Sequence, residues 1–381
     1  MELNEIRTQI DKIDEELVEL YKKRMNLCAE VAEYKRDNNM PVLDSARERA
    51  LLTKISDMSG PEFEEYTRTL YSTLLDLSRA YQSKILGNTS KLYGEIESAI
   101  NNTPKIFPER ATVACQGVEG AYSQIAAEKL FRLPTITYFS NFNAVFSAIE
   151  ANMCKYGILP IENSTAGSVK QVYDLMKEHN FKIVRSVRVK IDHNLLAKPG
   201  TNLNEIKEIF SHEQAINQCS KFLLSLSPDV KITCVENTAK AAMMVAMSDR
   251  NDVASISSHF CASQYNLDVI SASIQDNGNN QTRFICISNE LEIFPGADKT
   301  SLMLITPHKP GSLYKILSRF NSLGINLVKL ESRPLPDRNF EFMFYFDLET
   351  SMYSDRLAQL LAELEQVCDD FTYLGTYSEI V

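Results

Sequence analysis

The sequence predicts a multidomain protein: an all-α domain over residues 1–90, a two-lobed α/β domain over 110–290 and a ferredoxin-like α+β unit over 298–377. Three observations carry this. No Gly or Pro interrupts Leu3–Tyr34, where apolar residues recur at steps of three and four. Short β-rich runs alternate with helical stretches from 111 to 288. From Thr300 the pattern becomes strand, helix, strand, strand, helix, strand. At 381 residues the chain exceeds one ordinary domain, and 44% apolar with 24% charged residues is globular composition.

Composition excludes several classes of function. The net charge is −10 and the longest basic run is Lys22-Lys23-Arg24, which argues against a nucleic-acid partner. No apolar run reaches the roughly 18 residues of a membrane span. The amino terminus is charged from its second residue and lacks a signal peptide's apolar stretch, so a cytoplasmic protein is expected. The eight cysteines are scattered, without C-x-x-C and without zinc spacing to the five histidines; no metal, cofactor or disulfide framework is called for.

The first helix carries its apolar stripe at Ile6, Ile10, Ile13, Leu17, Leu20, Leu27 and Val31, with Arg24 in the one gap. Such a helix suits coiled-coil-like packing. Pro41 ends the connection, and Ser45-x-x-Glu48 reads as a capping box for a second helix. Gly60-Pro61 opens a third, running to about Leu86, with Phe63, Leu70, Leu74 and Leu77 on one side. Arg24 and Lys35 lie three turns apart on one face. Arg7 stands 17 residues before Arg24, roughly 25 Å along the axis. A small ligand shared by all three therefore needs Arg7 from a second, antiparallel copy.

Together with Asp44, Arg47, Glu48, Ser78 and Gln82, these residues resemble the all-helical (AroQ-type) chorismate mutase domain over about residues 1–90. Singly each has a plain reading: Glu48 caps and Gln82 is solvated. The resemblance implies an intertwined homodimer, or a higher homo-oligomer, that rearranges chorismate to prephenate. That reaction needs no nucleophile, only a folded dicarboxylate and stabilisation of charge growing on the ether oxygen. Arg7 of the second copy and Arg24 would clamp carboxylates. Lys35 and Gln82 would donate to the ether oxygen. Asp44 and Glu48 would accept from the ring hydroxyl or position neighbours, and Arg47 and Ser78 complete the substrate set.

Residues 87–109, with Gly87, Asn88, Ser90, Asn101, Asn102, Pro104 and Pro108, have boundary composition around a short helix at Leu92–Ile100. Strands are expected at 111–115, 135–139, 156–161, 182–190, 206–210, 230–235, 252–256 and 283–288. Helices are expected at 121–131, 143–152, 168–179, 213–225, 238–248 and 258–265. This alternation predicts a mostly parallel sheet with ligands at strand ends and helix starts.

Polar clusters fall at those ends: Gln116-Gly117-x-x-Gly120-Ala121-Tyr122-Ser123, Pro160–Gly167, Ser211-His212-x-Gln214, Glu236-Asn237-Thr238 and Gln281–Phe284. Taken one at a time they are helix caps, and Gly117/Gly120 lacks a full dinucleotide fingerprint. Together, "PIENSTAGSV", "IDHNLL", "FSHEQAINQCSKFL" and "NQTRF" resemble prephenate dehydratases over about 110–290, with Thr282-Arg283-Phe284 as the signature.

The dehydratase resemblance implies a two-lobed, periplasmic-binding-protein-like domain that takes CO₂ and water from prephenate to leave phenylpyruvate. Thr282 would donate to the leaving hydroxyl; a threonine is too weak an acid to ionise, so a neighbour or water relays the proton. Arg283 would meet a carboxylate. Asn163, Ser164, Thr165, Ser211 and Phe284 would complete the pocket, and Glu162 would orient neighbours. His193 and His212 read more readily as structural histidines than as acids.

The last unit has strands at 301–306, 325–333, 339–348 and 370–377 and helices at 311–323 and 353–367. It resembles an ACT domain, a small amino-acid sensor, and Leu330-Glu331-Ser332-Arg333-Pro334 matches the family's phenylalanine-binding segment. The plain reading is that Pro334 and Pro336 end an edge strand. The family's Gly-Ala-Leu-Val is here Gly311-Ser312-Leu313-Tyr314, and Tyr314 departs from it in size. The resemblance implies phenylalanine as an allosteric effector, held by Gly311, Leu313, Glu331, Ser332, Arg333 and Pro334 between two such domains. The whole layout is similar to the bifunctional chorismate mutase–prephenate dehydratases. An arogenate dehydratase and a non-catalytic phenylalanine sensor are the alternatives. Retention of Arg7, Arg24, Lys35, Gln82 and Thr282-Arg283-Phe284 in one chain speaks against the sensor.

Overall fold

The computed structural model describes residues 2–86, 91–335 and 341–381. It divides into two compact units: Met1–Glu95 with Asp355–Val367, and Ile96–Ser354 with Cys368–Val381. Among the described residues no helix is long and apolar enough to cross a membrane.

The helical unit opens with α1 (Leu3–Asp37), started by a reciprocal capping box between Glu2 and Glu5. Its apolar stripe, Ile6 to Val31, is 41–60% exposed within this single chain. The chain then forms α2 (Ser45–Ile85), which contacts α1. The expected second and third helices are one bent element, because only Gly60 leaves helical geometry, at φ +67°, and Pro61 resumes the helix. A left-handed residue followed by one lacking an N–H is how a helix turns without ending. The expected cap is corrected by one residue. Ser45 is already helical, and Asp44 Oδ1 accepts from Arg47 N at 2.9 Å.

In the boundary stretch, residues 87–90 lie outside the described residues, and α3 (Lys91–Asn102) is the short helix expected there. The first lobe follows: β1 (Arg110–Gln116), α4 (Tyr122–Leu130), β2 (Leu133–Phe139), α5 (Phe142–Glu150), β3 (Tyr156–Asn163), β4 (Gly167–Ser168), α6 (Lys170–Met176) and β5 (Lys182–Lys190). The second lobe holds β6 (Asn194–Ala197), β7 (Glu208–Ser211), α7 (Glu213–Gln218), α8 (Ser220–Leu224), β8 (Lys231–Cys234), α9 (Thr238–Met247), β9 (Val253–Ser257), α10 (His259–Tyr265) and β10 (Asp268–Ser271). The chain returns to the first lobe as β11 (Gln281–Ser288). It ends with β12 (Lys299–Ile305), α11 (Ser312–Ser322), β13 (Asn326–Pro334), β14 (Phe342–Glu349), α12 (Asp355–Val367) and β15 (Asp370–Ile380). Pro336 and the first two residues expected in the strand at 339–348 lie outside the described residues.

The sheets are mixed, not mostly parallel. In the first lobe β1 runs parallel to β2 and β3, but β11 is antiparallel to both β3 and β5. The second sheet, ordered β10-β6-β9-β7-β8, likewise joins two parallel pairs to two antiparallel ones. The cause lies in the route of the chain. It leaves the first lobe along β5 and returns along β11, with Lys190 paired to Gln281, and adjacent outgoing and incoming strands must run opposite ways. The four C-terminal strands are antiparallel in the order β15-β12-β14-β13, and β15 also pairs parallel with β5, so this sheet continues that of the first lobe.

The two faces of β11 enter different cores. Ile285 and Ile287 pack with Leu159, Ile161, Tyr173 and Tyr345; Phe284 and Cys286 pack with Val113, Ile158 and Val187. That is the two-residue period of a strand buried on both sides. It positions everything at the strand's polar entrance.

Candidate active sites

In the helical unit, Arg24 of α1 donates from Nη1 to Ser78 Oγ of α2, and Ser78 Oγ donates to the Leu74 carbonyl at 2.6 Å. One turn further on, Gln82 is 7% exposed, and among the described residues its buried carbonyl oxygen has no partner. A buried amide with an unmatched polar atom is a place for a ligand's complementary atom, whichever end of the amide meets it. Lys35 Nζ donates to the Val42 carbonyl, and Glu48 is paired with Arg79, which also holds Asp76. Arg79 was not singled out in the sequence. Its spacing from Glu48 crosses the bend at Gly60, which periodicity along one helix does not reveal. Asp44 and Arg47 are exposed, joined by the cap bond, and Arg7 is exposed on the first turns of α1. Arg24, Ser78 and Gln82 thus converge; Arg7 stays apart from them along the helix axis.

In the second unit, the entrance of β11 lies against the end of β3, with Thr282 opposite Asn163 and Arg283 opposite Glu162. The register holds because β3 carries one extra residue, Ile161, a bulge of the kind that re-aims side chains beside sites. Asn163 Nδ2 donates to Thr282 Oγ1 at 2.9 Å and to Asn280 Oδ1 at 2.8 Å. Its Oδ1 accepts from the backbone N–H groups of Thr165 and Ala166, at 3.0 and 2.8 Å. An amide bound at both ends has one orientation, so the threonine oxygen accepts and keeps its own hydrogen to give.

The network continues outward. Asn280, 1% exposed, donates to Gln218 Oε1 at 3.0 Å, and His193 Nε2 lies 2.9 Å from the same oxygen. Burial holds the His193 pKa below the ordinary histidine value, against the opposing effects of Gln218 and Asp192. The neutral ring donates from Nε2, because a carbonyl oxygen only accepts. The Nε2 of Gln218 is buried without a partner among the described residues. A cavity of about 460 Å³ opens beside this network, walled by Thr165, His212, Gln214, Asn217, Gln218 and Asn280. That volume suits a small metabolite.

Other expected site residues sit elsewhere, for identifiable reasons. Arg283 is not beside Thr282 in the cleft: successive strand residues point to opposite faces, and its guanidinium is held by Asp347 of β14 at 2.5 Å. Phe284 is 3% exposed inside the core shared with Cys286. Ser211 is fully buried in the second lobe, donating to the Ile256 carbonyl at 2.8 Å. Ser164 braces the turn, accepting from Gln281 N at 2.9 Å and donating to the Asn279 carbonyl at 3.2 Å. His212 caps α7, accepting from Gln214 N at 3.3 Å, while also lining the cavity. Glu162 accepts from Lys329 Nζ at 2.6 Å. Gln218 and Asn280 were missed as site residues although both lie inside the quoted segments. Their signal was position at a strand entrance or helix end, not residue type.

On β13, Glu331 and Arg333 face the first lobe: Ser168 Oγ donates to Glu331 at 2.6 Å, and Arg333 grips Asp174 through two bonds of 2.7 and 2.8 Å. Ser332 and Pro334 alternate with them and are exposed. Gly311 begins α11 at φ +82°, Leu313 is half-buried and Tyr314 is 68% exposed.

Comparison with known proteins bears on both sites. The family model for chorismate mutase type II matches residues 6–83, and that for prephenate dehydratase matches residues 113–292. The bifunctional chorismate mutase/prephenate dehydratase of Aquifex aeolicus (strain VF5) is 30% identical over 377 residues, covering 99% of this chain and 98% of that protein. An arogenate dehydratase/prephenate dehydratase of Arabidopsis thaliana is 37% identical over 280 residues, 70% of this chain and 73% of that one. Among solved structures, the prephenate dehydratase of Arthrobacter aurescens in complex with L-Phe has a TM-score of 0.65 at 30% identity, covering 70% of this chain and 89% of that chain.

Proposed function

The chain belongs to the family of bifunctional chorismate mutase/prephenate dehydratases, and from that premise we propose how its own residues carry the two reactions. The protein converts chorismate to prephenate and prephenate to phenylpyruvate in phenylalanine biosynthesis.

For the rearrangement, Arg24 holds a substrate carboxylate from within a hydrogen bond to Ser78, which keeps the guanidinium aimed. Gln82 and Lys35 donate to the ether oxygen as its charge grows. Arg7 comes from a second copy of α1, and the stripe from Ile6 to Val31 is the surface that the second copy covers. An apolar stripe of that length left in water supports a dimer.

For the dehydration, the observation that carries the assignment is the hydrogen bond from Asn163 to Thr282. The C–C bond to the ring carboxylate breaks, its electron pair moves through the ring, and the C4–O bond breaks as the hydroxyl leaves. Thr282 donates to that oxygen, Asn163 polarises the donor, and water restores the proton. With Arg283 turned away, the cavity offers side-chain amides and His212 to the substrate's carboxylates, beside the acids Glu213 and Asp276. Neutral donors suit a carboxylate that must leave as CO₂. A full ion pair would stabilise it most before reaction, when stabilisation slows the step.

We further assign the C-terminal strands to an ACT-type sensor with phenylalanine as effector. The L-Phe complex of the Arthrobacter relative and the segment Leu330–Pro334 support this. The Arabidopsis relative supports a second reading for the same cleft, an arogenate dehydratase. Purified protein given chorismate, prephenate or arogenate separates the two. Phenylpyruvate absorbance from the first two is the expected result; phenylalanine formed only from arogenate overturns it.

A further inference from the structure

The two strands that carry Asn163 and Thr282 are gripped from their other face. Glu162 and Arg283, each next in sequence to one of that pair, lie opposite one another with a closest approach of 3.7 Å. Neither is left to the first lobe. Lys329 of β13 donates to Glu162 Oε1 at 2.6 Å and to Ser168 Oγ at 2.9 Å. Arg283 Nη2 donates to Asp347 of β14, whose side chain is 1% exposed. Asp347 is itself fixed, accepting from Ser301 Oγ at 2.5 Å, and Ser301 also bonds the hydroxyls of Tyr377 and Tyr345 at 2.7 and 3.0 Å. Glu162, Lys329, Arg283 and Asp347 alternate in charge across the junction, and Glu331 adds a third acid 3.9 Å from Lys329.

We propose that Asp347 and Lys329 are positioning residues for the dehydratase step, acting through Arg283 and Glu162 on Thr282 and Asn163. The argument is geometric. A strand is stiff along its length and alternates sides residue by residue, so the placement of Arg283 sets that of Thr282, and the placement of Glu162 sets that of Asn163. The bulge at Ile161 makes β3 the softer of the two strands, and Lys329 is the tie on that strand. Lys329 also lies two residues before Glu331, within the strand that carries the segment resembling a phenylalanine-binding one. Movement of β13 therefore reaches Asn163 through Lys329 on Glu162, and through Glu331 on Ser168 of the paired β4. A purely structural pair would hold the fold without affecting the distance between a hydroxyl and its polarising amide. This inference rests on the proposed role of Thr282 and Asn163.

The test uses the full chain and prephenate. Lys329→Gln keeps most of the stem and removes the charge. Its kcat for prephenate is expected to fall about tenfold with KM within about twofold, since misplacement of about an ångström costs rate before binding. Lys329→Arg restores the kcat to within about twofold, and mutase turnover is unchanged in both. Asp347→Asn, if it folds by thermal melting, shows a larger loss of the same kind; if it does not fold, Lys329→Gln decides alone. Unaltered kcat in Lys329→Gln, a rise in KM without loss of kcat, or a failure of Lys329→Arg to restore the rate overturns the inference while the unaltered protein still turns over prephenate. If the unaltered protein makes no phenylpyruvate, the dehydratase reading falls and this inference with it.

Discussion

A hydroxyl that accepts from an amide has its remaining hydrogen to give, and that is the state of Thr282 beside Asn163. Thr282→Val, which keeps the shape and removes the O–H, is expected to lower the kcat for prephenate by about 10²–10⁴-fold, while Thr282→Ser retains most of it. Steady-state rates on prephenate check this. His193 gives a second prediction. Its folded pKa lies below the ordinary 6.5, so below that value the unfolded chain binds a proton that the folded chain refuses. Stability is full above pH 6.5 and is lost as pH falls through the lowered value, by up to about 1.4 kcal/mol per pH unit. Thermal melts between about pH 7 and pH 5 should show a smaller acid loss in His193→Gln than in the unaltered protein. In the sequence, the segment "NQTRF" put Thr282 at the entrance of a buried strand, where β11 has it. Arg283 was misplaced because adjacency in sequence was allowed to override the two-residue period of the strand. Its partner Asp347 was illegible: 64 residues away, it looks like any acid at the end of an apolar run.

Elements with long patterns were read more fully than short ones: the short strands β7, β8 and β9 were expected near their places, whereas β4, β6 and β10 were not. α1 follows from periodicity, while Gly60-Pro61, expected to open a third helix, bends a single one. β4, β6 and β10 are two to four residues each, too short to show a repeat, and they lack the longer β-rich run that surrounds β7 and β8. The expected helix at 213–225 divides at Cys219, a break with no Gly or Pro to announce it. Parallel and antiparallel pairing was misjudged because direction depends on the chain's route between lobes, which local composition does not carry. One glycine is decisive at this scale. Gly375 of β15 has φ +146°, and a Cβ there would overlap the Ile183 carbonyl oxygen of β5. Gly375→Ala is therefore expected to cost at least about 3 kcal/mol, from backbone strain and overpacking combined. Denaturant unfolding monitored on the second unit reads this directly.

For the whole molecule, the order of a mutase region followed by a dehydratase region was legible from composition shifts and the change of period. The joining of the C-terminal strands to the first lobe's sheet through β15 and β5 was not, since those strands are about 190 residues apart and each reads as an ordinary strand. The proposed dimer ties the mutase to assembly through the exposed stripe of α1, where Ile13, 56% exposed in one chain, lies between Arg7 and Arg24. Ile13→Lys is expected to yield a monomer by light scattering, with mutase turnover reduced at least about 100-fold, because the carboxylate clamp from the second copy is lost. That one chain holds two separate sites acting in sequence is tested by a pair of variants given chorismate. Thr282→Ala should accumulate prephenate and form no phenylpyruvate. Arg24→Ala should leave chorismate unconverted yet turn over added prephenate at the unaltered rate. Loss of both activities in either folded variant, or phenylpyruvate from Thr282→Ala at the unaltered rate, would contradict it.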